Sequence, residues 1–158
     1  MSLLGVTLVG VGYAIVWTVR RPPFTRMFDS GPFLDWMIAF LDIVIGVGSV
    51  MLVLSAVRTL GSQWNIEAWV ADDHTLVRDG PYSIVRHPIY AGMMGLMIST
   101  GLAFSSPYWL LVAVIVAWYG THLRIRSEEA LLKETFGTTY GQYAKEVPPL
   151  IPGTHWIS

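Results

Sequence analysis

Two polar segments hold most of the side chains in this sequence that suit chemistry on a small charged ligand. The first is "RDGPYSIVRHPIYAG", residues 78–92, which sets Tyr82, Arg86, His87 and Tyr90 around two prolines. Gly80-Pro81 is a turn signal. Pro88 suits the first position of a helix, where its missing N–H costs nothing, and it pushes His87 out of helical conformation. His87 is therefore expected at the mouth of a helix, beside free backbone N–H groups that favour a carboxylate or another anion. Arg86 and His87 add donors, and Tyr82 and Tyr90 add rings with hydroxyls. The set has the character of a pocket for a small zwitterionic or aromatic ligand. The same residues would also anchor a helix at the level of lipid headgroups.

The second segment is "HLRIRSEEALLKETFGTTYGQY", residues 122–143. Arg124 and Glu128 stand one helical turn apart and share a face with Leu131 and Leu132, while His122, Arg126 and Lys133 fall on another. A carboxylate one turn from an arginine, at the end of an apolar stretch, suits a hydroxyl or amine on the acid and an anion on the base. The plainer reading is a solvated interfacial helix with ordinary ion pairs. Gly137 is expected to end this helix, and "VPPLIPG" to close the chain as an extended tail.

Other chemistries find little support. The chain has no cysteine, which excludes thiol nucleophiles, disulfides and cysteine-ligated metals. Its four histidines, at 74, 87, 122 and 155, show no metal-ligand spacing, and no metal site is expected. "GVGYA" has the glycines of a dinucleotide loop but lies inside a hydrophobic stretch and follows no strand. His74 reads as either a surface loop residue or a cover for a ligand. Asp42 falls deep in an apolar run, where a carboxylate is a functional candidate by default and equally suits a protonated pairing with another helix.

The elements that must position these residues are membrane helices. Of the 158 residues, 53% are hydrophobic and 13% charged, about half the charge of an ordinary soluble domain. Apolar stretches cover 3–19, 33–60, 88–104 and 108–121, with a tight turn at 105–107. The first lacks a basic region before it and a small-residue cleavage pattern after it, so it reads as a retained span. The fold class is all-α: a polytopic membrane bundle of about four transmembrane helices plus a C-terminal cytoplasmic amphipathic helix, in one domain over 1–158. Gly5, Gly10, Gly12, Gly46, Gly48, Gly92 and Gly95 are expected at close helix contacts. Arg58, Arg78, Arg86, Arg124, Arg126, Lys133 and Lys145 lie on the side of the 61–87 loop and the tail; Arg20, Arg21 and Arg26 lie on the other. Positive-inside counting makes the loop and tail cytoplasmic. A net charge of −1 and no basic cluster argue against a nucleic-acid partner.

Taken together, "HTLVRDGPYSIVRHPIYAG" (74–92) and "RIRSEEALLKETFGTTYGQYAKEVPPLIP" (124–152) resemble the isoprenylcysteine carboxyl methyltransferase family and the wider group that includes phospholipid N-methyltransferases. The joint pattern R-H-P-x-Y-x-G, E-E, F-G, Y-x-x-Y and I-P carries the resemblance, over about half the chain. It implies an integral membrane enzyme that uses S-adenosylmethionine. The cofactor-binding positions it implies are His74, Thr75, Leu76, Val77, Tyr82, Arg86, His87, Pro88, Ile89, Tyr90, Glu128 and, in support, Glu129. Arg124 matches a residue assigned to substrate, and Arg124 and Glu128 are the catalytic candidates. The acceptor expected is a lipophile reached from the bilayer: a carboxylate such as that of isoprenylcysteine, or a phospholipid amine. Methyl transfer is an in-line displacement that requires alignment and exclusion of water; no covalent nucleophile is needed. The chain has few spans before the motif and no separate domain for a headgroup or protein, which leaves the acceptor open.

Two other readings make different predictions. A membrane reductase of the sterol-reductase type would bind NADPH and not S-adenosylmethionine. A small non-enzymatic membrane adaptor would bind neither.

Overall fold

Proline opens three of the four helices. The computed structural model describes residues 3–22, 25, 31–61 and 75–154. The helices are α1 (Leu3–Thr18), α2 (Pro32–Leu60), α3 (Pro88–Phe104) and α4 (Pro107–Glu146). Each lies over one of the four apolar stretches. Pro32, Pro88 and Pro107 stand in first turns, where the pre-set φ favours helix and no hydrogen bond is lost. A short 3-10 turn, Gly80–Ser83, precedes α3. Among the described residues no strand forms beyond an isolated bridge between Arg20 and Ser105.

α1 packs chiefly on α4, and α2 on α3; α3 and α4 join the two pairs. Small residues make these contacts possible, because in hydrocarbon the gain comes from close van der Waals approach. A Cβ on Gly5 would lie 2.8 Å from the Gly120 carbonyl, and one on Gly120 would lie 2.8 Å from the Gly5 carbonyl. Gly12 meets Ala117, and Gly46, Gly92 and Gly95 meet Ser99, Val53 and Ser49. Gly10 and Gly48 face open space, contrary to expectation. A glycine's residue type does not say which way its helix face turns.

The outer surface is apolar. α2 leaves Phe33, Trp36, Phe40, Ile43, Val47 and Met51 exposed along its length, a surface suited to lipid and not to water. α2 and α4 are long and apolar enough to cross a membrane; α1 and α3 are apolar but shorter. About 20 residues cross a 30 Å hydrocarbon core, so α4, with 40 residues, continues well past it. The expected C-terminal amphipathic segment is thus continuous with the fourth apolar helix. Gly137 ends the straight run as expected: at φ 52° and ψ −124° it breaks the helical path, and a second helical segment follows across the kink to Glu146.

The two ends of the bundle differ. At one end Arg21 caps α3, donating Nη2 to the carbonyls of Leu102 and Ala103 at 2.6 and 3.0 Å, a favourable place for a cation. At the other, the 3-10 turn and the start of α3 meet the far half of α4. Asp42 joins neither end. It accepts a hydrogen bond from Ser99 Oγ at 2.5 Å across the α2–α3 contact, about 16 Å along α3 from Pro88.

Candidate functional site

His87 caps α3 with non-helical φ and ψ of −123° and 61°, outside the α region that Pro88 disfavours for the residue before it. The first bond inside the helix runs from Ala91 N to the His87 carbonyl, 3.1 Å. Pro88 has no N–H, so the amides of Ile89 and Tyr90 form the open helix mouth. His87 is buried, and its ring stacks on Tyr90 with centroids 5.8 Å apart.

Across from this mouth, α4 presents Arg124 and Glu128. Tyr90 donates its hydroxyl to Glu128 Oε1 and accepts from Arg124 Nε at 2.8 Å. Arg124 Nη2 reaches Glu128 Oε1 at 3.4 Å, and His87 Nδ1 lies 3.7 Å from Glu128 Oε2. The Arg124 guanidinium also stands over the Tyr90 ring, 5.4 Å from its centroid. One carboxylate, one guanidinium, one phenol and one imidazole therefore converge from two helices. The side chains of Arg124 and Glu128 keep 14% and 21% of their surface exposed, enough to meet a ligand. Among the described residues Arg124 Nη1 makes no hydrogen bond and remains available to an anion.

Arg86 and Glu129 behave differently. Arg86 donates Nε and Nη2 to Glu129 Oε1 at 2.9 and 2.5 Å, and Nη1 to the carbonyls of Ala144 and Val147 at 2.7 Å each. Both side chains are almost wholly buried. Burial alone would push the Glu129 carboxyl up; hydrogen bonds from His87 and Arg86, and their charge, outweigh it and hold it at about 2. Backbone bonds complete the contact: Arg86 N donates to Pro148 O at 2.8 Å and His87 N to Pro149 O at 3.0 Å. The tail is thereby laid along the entrance to α3.

Tyrosines fill the space beneath. Tyr143 donates its hydroxyl to the Tyr82 carbonyl at 2.6 Å, and Arg78 stands over the Tyr143 ring. Tyr140 is fully buried and packs with Tyr143, Val147, Leu76, Leu132 and Phe136. Burial, followed by the charge of Glu129, raises the Tyr140 hydroxyl far above its usual range. Burial likewise raises Tyr82, with Tyr143 and then Glu128 adding to it, so the Tyr82 phenol also feels the site carboxylate.

The expected site residues thus divide into groups. Tyr90, His87, Arg124 and Glu128 come together, with Ile89 and Pro88 at the helix mouth; Tyr82 is buried and its carbonyl accepts from Tyr143. Arg86 and Glu129 pair with each other. Leu76 packs against the tyrosine cluster, and Thr75 and Val77 flank it in chain without regular secondary structure. His74 lies outside the described residues. Tyr140 and Tyr143 were not expected as site-supporting residues; the Y-x-x-Y spacing was their one signal.

A membrane protein whose described residues form a helical bundle, with a polar cluster where two helices leave it, is the class defined so far. Residues 40–134 match the model of the isoprenylcysteine carboxyl methyltransferase (ICMT) family, and the chain belongs to that family. It is 34% identical to the protein-S-isoprenylcysteine O-methyltransferase of Xenopus laevis, over 92% of this chain and 50% of that one. To protein-S-isoprenylcysteine O-methyltransferase B of Arabidopsis thaliana it is 30% identical, over 80% of this chain and 65% of that one. The chain therefore spans half to two thirds of the length of these relatives. It superposes on the structure of the eukaryotic intramembrane Ras methyltransferase ICMT with a TM-score of 0.72, over 100% of this chain and 56% of the other. At 22% identity that likeness establishes the fold.

Proposed function

We propose that this protein transfers a methyl group from S-adenosylmethionine to the carboxylate of an isoprenylcysteine-like lipophile, at the cytoplasmic face of a membrane that its four helices cross. Family membership supports the reaction class and turns the reading away from a nicotinamide-dependent reductase. The observation that carries the site assignment is the convergence of Tyr90, Arg124 and Glu128 at the mouth of α3, with His87 behind them.

The donor set suits that cofactor. Glu128 offers a carboxylate to an amine or a ribose hydroxyl, and the open amides of α3 favour a carboxylate. The tyrosine rings favour a cation. S-adenosylmethionine supplies an activated methyl on its sulfonium; the protein supplies binding and alignment. Arg124, through Nη1, would hold the acceptor's carboxylate oxygen and fix its line of approach. Tyr90 keeps Arg124 and Glu128 in register by bonding to both. The buried tail and tyrosine cluster exclude water from one side, while the apolar outer surface of the helices lets a lipid arrive from the bilayer. An acceptor that is already a carboxylate needs no general base.

The acceptor is tested by incubating the purified protein with methyl-labelled S-adenosylmethionine and three substrates: an S-farnesylated cysteine analogue, its methyl ester, and phosphatidylethanolamine vesicles. Base-labile label in the free acid alone supports the reading. Base-stable label in the phospholipid would replace it with N-methylation, and label in none would remove the enzymatic reading for these acceptors.

A further inference from the structure

The two adjacent acids of "SEEA" do different work, and this inference rests on the cofactor reading above. We propose that Arg86 and Glu129 are positioning residues that clamp the 147–150 tail over the entrance to α3 and set the His87 ring, without touching cofactor or acceptor.

The hydrogen-bond inventory carries the first part. All three nitrogens of the Arg86 guanidinium are engaged, two on Glu129 and one on the Ala144 and Val147 carbonyls, where α4 runs into the tail. The side chains of Arg86 and Glu129 are 4% and 9% exposed, so neither presents a surface to a ligand. Their charges cancel at short range. Glu128 and Arg124, more exposed and less fully bonded, remain for the chemistry.

The tail is built as an acceptor strip. Pro148 and Pro149 have no N–H, so burying them leaves no orphan donor. Their carbonyls take the Arg86 and His87 amides, and the Ala144 and Val147 carbonyls take Arg86 Nη1. These last two lie at the end of α4, where a helix has carbonyls to spare. Arg86 thus closes the helix end and pins the tail in one contact.

The second part follows from His87. Its Nε2 lies 3.4 Å from Glu129 Oε1, and its Nδ1 lies 3.7 Å from Glu128 Oε2. Glu129 on one side of the ring therefore fixes which nitrogen faces Glu128 on the other. The clamp and the site meet through a single imidazole.

Lys145 provides a local reporter. It is exposed, beside the two carbonyls that Arg86 holds, and Lys133 is exposed further up the same helix as a reference. The test is limited trypsin cleavage of the full chain in detergent, followed by mass spectrometry, alongside titration with S-adenosylhomocysteine. Glu129→Gln should speed cleavage after Lys145 at least tenfold with cleavage after Lys133 unchanged, and weaken S-adenosylhomocysteine at least tenfold. Arg86→Lys, which keeps the charge but loses the fork, should give a smaller change of the same pattern. Glu128→Gln should weaken the ligand with wild-type cleavage at both sites. Wild-type cleavage after Lys145 in Glu129→Gln would overturn the proposal. So would equal acceleration at both lysines, which would make the pair a general stabiliser. If the wild-type protein binds no S-adenosylhomocysteine, the cofactor reading fails while the cleavage pattern still judges the clamp.

Discussion

Arg124 Nε donates to the Tyr90 hydroxyl at 2.8 Å, and the same hydroxyl donates to Glu128. One phenol thereby ties α3 to two residues of α4 that stand a turn apart. Removing that oxygen should leave the ring packing in place while releasing both partners. In Tyr90→Phe, kcat should fall at least about 10- to 100-fold, the loss expected from even one of its two hydrogen bonds to charged groups, each worth about 1.5–3 kcal/mol. Steady-state kinetics check the rate, and a thermal melt checks that the fold is kept.

Arg124 should not tolerate a conservative exchange. Lysine keeps the charge but cannot donate to Tyr90, Glu128 and an anion at once in one plane. Arg124→Lys should lower kcat/KM for the lipid acceptor about 100-fold or more while changing S-adenosylhomocysteine affinity by less than about threefold. Acceptor kinetics and ligand titration read the two effects separately.

Acid should undo the tail. The Glu129 carboxyl sits at about 2 in the folded protein against 4.5 for the free group. A depressed folded value stabilises the charged form. The contribution is therefore complete above about pH 4.5 and is lost as pH falls through about 2. Melting temperature measured from pH 6 down to pH 2 should fall across that window in the wild type. In Glu129→Gln it should start lower and lose this part of the slope.

Backbone conformation at Gly137 supplies another test. No neighbour crowds the position, so Gly137→Ala adds strain without a clash. A non-glycine residue at φ 52° and ψ −124° costs about 1–3 kcal/mol. The variant should melt lower and cleave faster after Lys145, because the break at Gly137 brings Ala144 and Val147 back to Arg86.

Helix packing separates two kinds of glycine. Gly120→Val should destabilise strongly, since its Cβ would lie 2.8 Å from the Gly5 carbonyl and 2.9 Å from Val9 N. Gly10→Ala and Gly48→Ala, facing open space, should be neutral or gain up to about 1 kcal/mol from better helix propensity. Thermal unfolding in detergent ranks the three.

These contrasts mark where the sequence was legible. Pro88 reads as a helix start, and the apolar runs beginning at 33 and 108 fall one residue inside Pro32 and Pro107, which open the second and fourth helices. The turn at Gly80-Pro81 and the cap at His87 follow from local sterics. The spacing of Arg124 and Glu128 gives their shared face. The same spacing sets Glu128 apart from Glu129, but it does not name the partners of Glu129, which are set by how α4 packs against the start of α3. The partners of Arg86 were hidden for a related reason: two are backbone carbonyls, which every residue has. Their approach depends on the break at Gly137, where glycine reads equally as a stop and as a bend. Gly10 and Gly48 failed because residue type does not encode the direction a helix faces.

The account turns on Glu128 and Tyr90 lining a cofactor site at the mouth of α3, with Arg124 beside them facing the acceptor. Thermal stabilisation of the detergent-purified protein by S-adenosylhomocysteine tests this most directly, since a ligand of the folded state raises the melting point by mass action. Saturable stabilisation of the wild type, with affinity at least tenfold weaker in Glu128→Gln, is the predicted result. Stabilisation equal in wild type and Glu128→Gln, or none in either, would contradict it.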